Sequence, residues 1–395
     1  MTINKQVVLS ECYYDTLGYH DFIFEFLNSI NLQNYESYAF ISCTSGYGTE
    51  PRELIKIKYE ADLIIWIVTD DMCGKEEFNW YKDKKPYALL IFERICRMYP
   101  DKKFILMTEQ YELEKLCEVD NLKFVDLPTI NFMYDRSKFK YDICQEKNSN
   151  QSKQWIMLNA NPKLYRISFI SYLLSKQLDK FGYITASEKI LSKSKEHNNF
   201  YSLCGDYFQF DIQTLLELNK GFLRLKNGDF EREVIEPFRS VNEINSCNLI
   251  ENYNKNILSL YQNTKLEIIS GGLFFEPTPI FSEKEIQSVY GKNFILFLSS
   301  PGSVQRWRSY GFDMFDDIIN HEYDFILDPS KRLVKAITDN IHLLDGSSDL
   351  DSLWEERVDR FDLNCKVADN MQDWYIKRTK NQLISKIIEF GISVG

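Results

Sequence analysis

Two short stretches bring together residue types that do anion chemistry. In FSEKEIQSVYGKNFILFLSSPGSVQRWRSYGF, residues 281–312, a carboxylate and an ammonium, Glu283 and Lys284, stand side by side ahead of an apolar run that ends in Ser-Ser-Pro-Gly. A carboxylate can accept two hydrogen bonds from the vicinal hydroxyls of a ribose, while a lysine and a helix N-terminus neutralise a diphosphate. Ser282 reads as a helix N-cap and Glu285 completes a capping box, which puts Glu283 and Lys284 in the first helical turn. The run Asn293 to Gly302 then reads as a buried strand whose turn, with Ser300 and Gly302, leaves room for a ligand or a close backbone approach. In the second stretch, QWIMLNANPKLYR, a strand ends at Leu158 and a polar turn holds Asn159 and Lys163. Arg166 falls in the first turn of the following helix. Two cations and a helix N-terminus at the carboxyl edge of a strand suit an anion. Each motif also has a plainer reading: a capped surface helix ahead of a core strand, and an ordinary strand-to-helix loop with surface cations.

The elements that must position these residues come in a repeating order. Over the first 130 residues, strands are predicted at Gln6–Ser10, Tyr38–Ser42, Asp62–Asp70, Lys103–Thr108 and Leu122–Leu127, with helices at His20–Ile30, Pro86–Tyr99 and Gln110–Glu118. The run DLIIWIVTD is nearly uniformly apolar, as a strand covered on both faces must be. Strand, helix, strand repeated in this way predicts a parallel, doubly wound α/β sheet. The polar segment Asp135–Lys153 reads as the passage to a second domain, so the division is 1–145 and 151–375. Beyond it the same grammar restarts with a strand at Trp155–Leu158 and a helix from Leu164. Further helices are predicted within Phe210–Gly221 and Asn252–Thr264, and a strand within Leu266–Glu276. Tyr375–Ile392 is an amphipathic helix.

Composition bounds the class. A chain of 395 residues with 44% hydrophobic content can bury two ordinary cores. Nine scattered cysteines without a CxxC pair fit neither a disulfide framework nor a zinc site, and suit a reducing cytoplasm. The opening MTINKQVVLSECYY has the pattern of neither a signal peptide nor a membrane anchor. The net charge of -11 opposes nonspecific attraction to nucleic acid by the molecule as a whole. Two local basic clusters remain, Lys82, Lys84 and Lys85, and Arg306 with Arg308 around Trp307. They read either as solvated faces or as the lining of a groove.

The runs NANPKLYR, FSEKEIQSVYGKNFILFLSSPGS and YGFDMFDDIINHEYD, in that order, resemble a group of glycosyltransferase-like proteins of large viruses and phages. The Arg plus Glu-Lys layout is similar to the donor site of the α1,3-fucosyltransferases. The resemblance covers about residues 155–332. It implies two Rossmann-like domains facing a cleft, the GT-B architecture, and a C-terminal helix, 376–395, that packs back on the first domain. It implies that Arg166 and Lys284 hold the diphosphate of a UDP- or GDP-linked sugar and Glu283 its ribose, with Asn159, Lys163, Ser300 and Gly302 completing the donor side. The chain departs from the pattern after Glu-Lys, where it reads EIQSVYG rather than small and apolar residues, so a fucosyl donor is not implied.

In such an enzyme the positive donor site stabilises the departing diphosphate, and a first-domain carboxylate or histidine deprotonates the acceptor hydroxyl. Glu11 and Asp15 follow the first predicted strand, and Asp70 and Asp71 follow the third. His20, Arg306 and Arg308 are the acceptor-side candidates, although His20 also suits a helix cap. TDD at Thr69–Asp71 invites comparison with a manganese-binding DxD element. Where Lys and Arg already neutralise the diphosphate, no obligatory metal or other cofactor is expected. The acceptor is a glycan, a protein or a hydroxymethylated base of viral DNA, and no membrane partner is expected. Two other classes stay open: a non-catalytic module that binds a nucleotide without turnover, and an interaction protein that does neither.

Overall fold

The computed structural model describes residues 38–43, 63–68, 87–127, 147–149, 151, 153–159, 162–204, 210–233, 259–271, 274, 278–279, 281 and 283–392. The chain divides into two compact units. One comprises Met1–Tyr134, Glu276–Ile280 and Asn370–Gly395, and the other Asp135–Phe275 and Phe281–Asp369. Both are built on parallel sheets.

In the first unit the strands β1 (Tyr38–Cys43), β2 (Leu63–Val68), β3 (Lys103–Thr108) and β4 (Leu122–Asp126) lie in sequence order, each parallel to the next. The predicted strand Gln6–Ser10 and helix His20–Ile30 lie outside the described residues. Among the described strands of this sheet the order does not reverse. The apolar run of β2 is covered as its composition demands: Leu63 to Trp66 are fully buried. Helix α1 (Tyr87–Met98) turns Leu89, Phe92, Ile95 and Cys96 inward, a helical spacing, onto Trp66 and Phe104, whose rings stack at 4.7 Å. Asn121 closes the end of α1 by donating to the carbonyls of Cys96, Tyr99 and Lys102 at 3.1 to 3.2 Å.

Where an α-helix is predicted over Gln110–Glu118, the chain instead forms a 3-10 helix, Tyr111–Leu116. Glu93 of α1 draws off its end by accepting the Glu118 N–H at 2.6 Å, so a short, tight winding must span the gap.

The second unit holds β5 (Trp155–Met157), β6 (Gly182–Thr185), β7 (Arg232–Glu233), β8 (Leu266–Ser270) and β9 (Phe294–Leu298) in the order β7-β6-β5-β8-β9. From β5 the chain builds outward to β6 and β7, then returns to build β8 and β9 on the other side. The helices are α2 (Leu164–Ser175), α3 (Glu188–Lys195), α4 (Phe200–Cys204), α5 (Ile212–Asn227), α6 (Glu283–Tyr290), α7 (Ser303–Ser309), α8 (Pro329–Asp339), α9 (Ile341–Leu344), α10 (Leu350–Glu355) and α11 (Val358–Glu389). Of the helix predicted at Asn252–Thr264, residues 259–263 are described and helical. The predicted passage segment is not a free tether at its end. Lys147 donates to the carbonyls of Tyr261 and Thr264, at 2.5 and 2.7 Å, and to the side chain of Asn293.

Helix α5 starts on Asp211, whose carboxylate accepts the Thr214 N–H at 2.9 Å, and stops on the left-handed Gly228. It runs past the predicted Gly221 because that glycine is a packing site rather than a stop. A Cβ there would lie 1.6 Å from the backbone oxygen of Ser171 in α2.

The amphipathic stretch predicted from Tyr375 belongs to α11, a 32-residue helix that begins at Val358. Its polar first half is fixed by charge. Arg360 bonds Asp313 at 2.5 Å and Asp317 at 2.8 Å, and Arg357, just ahead of the helix, bonds Asp317 at 3.0 Å. Its second half belongs to the first unit. There Thr379 donates to the Asp126 carbonyl at 2.8 Å, Gln382 accepts the Asp126 N–H at 3.0 Å, and Lys386 pairs with Glu114 at 3.1 Å. No described helix is long and apolar enough to cross a membrane.

The close approach of α2 and α5 gives a direct test. Gly221→Ala forces two backbones apart and is expected to cost about 3 kcal/mol. Gly228→Ala, at φ 76° with open space around it, costs only the left-handed backbone, about 1 kcal/mol. Chemical denaturation of the two variants beside the parent measures the difference, and equal losses would contradict the packing account.

Candidate functional site

The site is set by the place where the second sheet changes direction. Loops from β5 and β8, adjacent strands whose connections leave to opposite sides, must separate, and such a switch point is where open α/β sheets bind ligands. The carboxyl end of β5 carries Leu158 and Asn159. The Asn159 N–H donates to Thr185 Oγ1 of β6 at 2.7 Å, and its Oδ1 accepts from Ser270 Oγ of β8 at 2.9 Å. One asparagine therefore ties three strand ends together. The sequence predicts this residue at an anion; in the structure its polar groups bond within the sheet.

Lys284 comes to the same place from α6. It is 7% exposed, and its Nζ donates to the Leu158 carbonyl at 2.8 Å. Arg166 lies in the first turn of α2, also 7% exposed, with its guanidinium 5.6 Å from the Tyr165 ring. Its Nε has no hydrogen-bond partner among the described residues. Lys163 stands just before α2, its Nζ 5.8 Å from the same ring. Tyr165 in turn donates to the Gly271 carbonyl at 2.9 Å, fixing the end of β8. Glu283 is the first residue of α6, and its side chain is outside the described ones, as is Ser282 of the predicted capping box. Glu285 of that box is fully buried.

The turn after β9 is more occupied than its sequence suggests. Gly302 takes the left-handed conformation, φ 81°, and its N–H donates to the Asp324 carbonyl at 2.9 Å. The Asp324 carboxylate then accepts the N–H groups of Val304 and Gln305 at 3.2 and 3.1 Å. The start of α7 thus carries the chain's own carboxylate. Ser300 uses its carbonyl to accept Ser303 Oγ at 2.7 Å. Burial raises the Asp324 carboxyl above the ordinary aspartate range.

Next to this turn Arg332 is almost fully buried. It donates to the carbonyls of Ser299 at 3.0 Å, Ile326 at 2.6 Å, Leu327 at 3.2 Å and Phe274, and lies 4.4 Å from the Phe274 ring. Burial lowers its pKa to about 9.

The acceptor-side candidates separate. Arg306 is 4% exposed. Arg308 pairs with Asp316 and reaches Gln305 at 3.4 Å. Neither forms the open basic face that the sequence suggests around Trp307, because Trp307 is fully buried in an aromatic cluster with Phe281, Phe297 and Phe312. Glu11, Asp15, His20, Asp70, Asp71 and the lysines 82, 84 and 85 lie outside the described residues. Among the described residues no group of three or more His, Cys, Asp or Glu is placed to hold a metal ion.

Sequence reasoning missed Glu267. It interrupts the otherwise apolar start of β8, LEIIS, and that interruption was the available signal. The side chain is fully buried, and Tyr261 Oη donates to its Oε2 at 2.9 Å. Burial pushes its carboxyl up to about 8, against the pull of the Tyr261 hydrogen bond and the Lys284 charge.

Compared with known proteins, the chain matches no family model and no curated protein.

Two outcomes follow. Asp324→Ala removes the carboxylate from two N–H groups at the start of α7 and is expected to cost about 1 to 2 kcal/mol. Asp324→Asn, which keeps an accepting oxygen, should cost less, and denaturation midpoints decide. For Glu267 the folded pKa of about 8 stands above an unfolded value of 4.5. The folded state therefore holds the extra proton between those values, so stability falls as pH rises from 4.5 to about 8 and levels off above. Glu267→Gln should flatten that slope, as measured by unfolding free energy against pH.

Proposed function

We propose that the protein is a glycosyltransferase that moves a sugar from a nucleotide-sugar donor to a hydroxyl acceptor. The observation that carries this reading is the meeting of Asn159 and Lys284 at the switch point beside β5, with Arg166 opening the next helix. The order of the three sequence runs that contain these residues, with their resemblance to virus and phage glycosyltransferases, is the second support. In this reading Arg166 and Lys284 hold the diphosphate of a UDP- or GDP-linked sugar, and Glu283 accepts from the ribose hydroxyls. Lys163, Ser300 and Gly302 complete the donor side.

The acceptor oxygen attacks the anomeric carbon as the bond from that carbon to the diphosphate breaks. The acceptor proton passes to a carboxylate of the first unit, with Glu11, Asp15 and Asp70 as candidates, when the transfer inverts configuration. Negative charge grows on the leaving diphosphate, and fixed cations there lower the barrier without an obligatory metal. The arrangement of the two units is GT-B on this account. The acceptor is a glycan, a protein or a hydroxymethylated base of viral or phage DNA, and the protein works in the cytoplasm, the host's if it is virally encoded.

One observation favours a second reading, a module that binds a nucleotide without turnover. Lys284 already donates to a backbone carbonyl, so part of its capacity serves the fold.

A thermal-shift and saturation-transfer screen against UDP-, GDP-, CMP- and ADP-sugars tests both. One nucleotide class should stabilise the protein, and Arg166→Ala and Lys284→Met should each weaken it at least tenfold, about 1.4 kcal/mol. Binding with release of free nucleotide supports the enzyme. Binding without turnover on any acceptor class supports the module, and no binding at millimolar concentration ends both.

A further inference from the structure

The charge of Lys284 faces a buried carboxyl, that of Glu267. Glu267 sits on β8 opposite Ile156 of β5, in register two residues short of the Leu158 carbonyl that Lys284 holds. The groups that face it come from several elements. Tyr261 donates to it from the helical turn at 259–263. Lys284, Glu285 and Ser288 face it from α6, and Lys147, whose amine burial holds well below the usual lysine range, is coupled to it from the segment ahead of β5.

A carboxyl so placed has two states with different consequences. As a neutral acid it leaves the Lys284 charge directed at the carboxyl end of β5. As a carboxylate it compensates that charge from beneath, and an incoming phosphate then meets a neutral pair instead of a cation.

We propose that Glu267 is a positioning residue that competes internally for the charge of Lys284, so that an anionic ligand at the carboxyl end of β5 binds with Glu267 carrying its proton. This rests on the donor-site reading of Lys284. Binding of a phosphate and ionisation of Glu267 are then mutually exclusive uses of one ammonium. By linkage, each weakens the other by the same factor. The fully buried position of Glu267 leaves the competition only weakly screened by salt. A carboxylate in water beside the same lysine would have little effect.

Two measurements on the full chain test this. The first follows the Glu267 carboxyl by carbon-13 NMR. Lys284→Met removes the cation that favours the ionised form and should raise the titration midpoint by about one unit, a tenfold change in the acid constant. The second measures binding of UDP, GDP and inorganic pyrophosphate across the alkaline range. In the parent, affinity should fall about tenfold in all as pH rises through the Glu267 midpoint and then level off, and it should stay flat in Glu267→Gln. Tyr261→Phe, which removes the donor that favours ionisation, should move the fall to higher pH.

A midpoint indifferent to Lys284→Met overturns the proposal, as does an equal pH slope in the parent and Glu267→Gln. Either result leaves the donor site standing if the nucleotide still binds. A midpoint that moves while no nucleotide or pyrophosphate binds at any pH overturns the donor reading and the competition with it.

Discussion

The reversal of strand order beside β5 is the constraint from which the arrangement of the second unit follows. Because β6 and β8 flank β5 while their connections run to opposite sides, the three strand ends need a bond that no loop supplies. Asn159 makes it, with its backbone to Thr185 and its side chain to Ser270. Lys284 then donates from α6 to the carbonyl of Leu158, which Ser270 Oγ also reaches at 3.4 Å, so the helix ahead of β9 is pinned to the end of β5. A ligand bound here would touch groups already spent on holding strands together. Such a site is rigid, because moving any of its side chains breaks a bond of the fold.

Three of the buried ionisable side chains of this unit, Arg332, Asp324 and Glu267, are each held differently. Arg332 is solvated by backbone carbonyls instead of water, and Asp324 by the N–H groups at the start of a helix. Both are internal replacements for hydration, and without them burial of an ion costs several kcal/mol. Glu267 has the Tyr261 hydroxyl at 2.9 Å and Ser288 beside it, but no ring of backbone donors among the described residues. Its remedy is to hold its proton, which is why its carboxyl is displaced so far while Lys284 stands near it. The same burial thus yields a fixed cation, a fixed cap and a titrating group, according to how many partners the backbone provides.

What could be read from the sequence was what periodicity and chain neighbours govern. β2 and β3 emerge from their apolar runs, and α2 begins at Leu164 after a Pro-Lys turn, because those signals are local. The first half of α11 was invisible since VDRFDLNCKVADN carries its helix on ion pairs to Asp313 and Asp317, some forty residues away. The occupied turn at Gly302 escaped for the same reason: its partner, Asp324, lies twenty-two residues further on. Glu267 could be seen as an oddity in a strand, but its environment depends on Tyr261 and α6. The arginines at 306 and 308 read as a basic face until Trp307 between them turned out to be core. The motifs around Asn159, Arg166 and Lys284 were legible as residue types. Their additional work for the backbone was not.

Arg332 also has a meaning for how the molecule breathes. One guanidinium joins the carbonyls of Phe274, Ser299 and Ile326, from three segments that are remote in sequence. A local fluctuation that exposes any one of them must withdraw the arginine from all three. Phe274, Ser299 and Ile326 are therefore held by one side chain, and their backbone groups are coupled in opening. The order of these three positions at the carboxyl end of the sheet is thereby tied to one buried guanidinium.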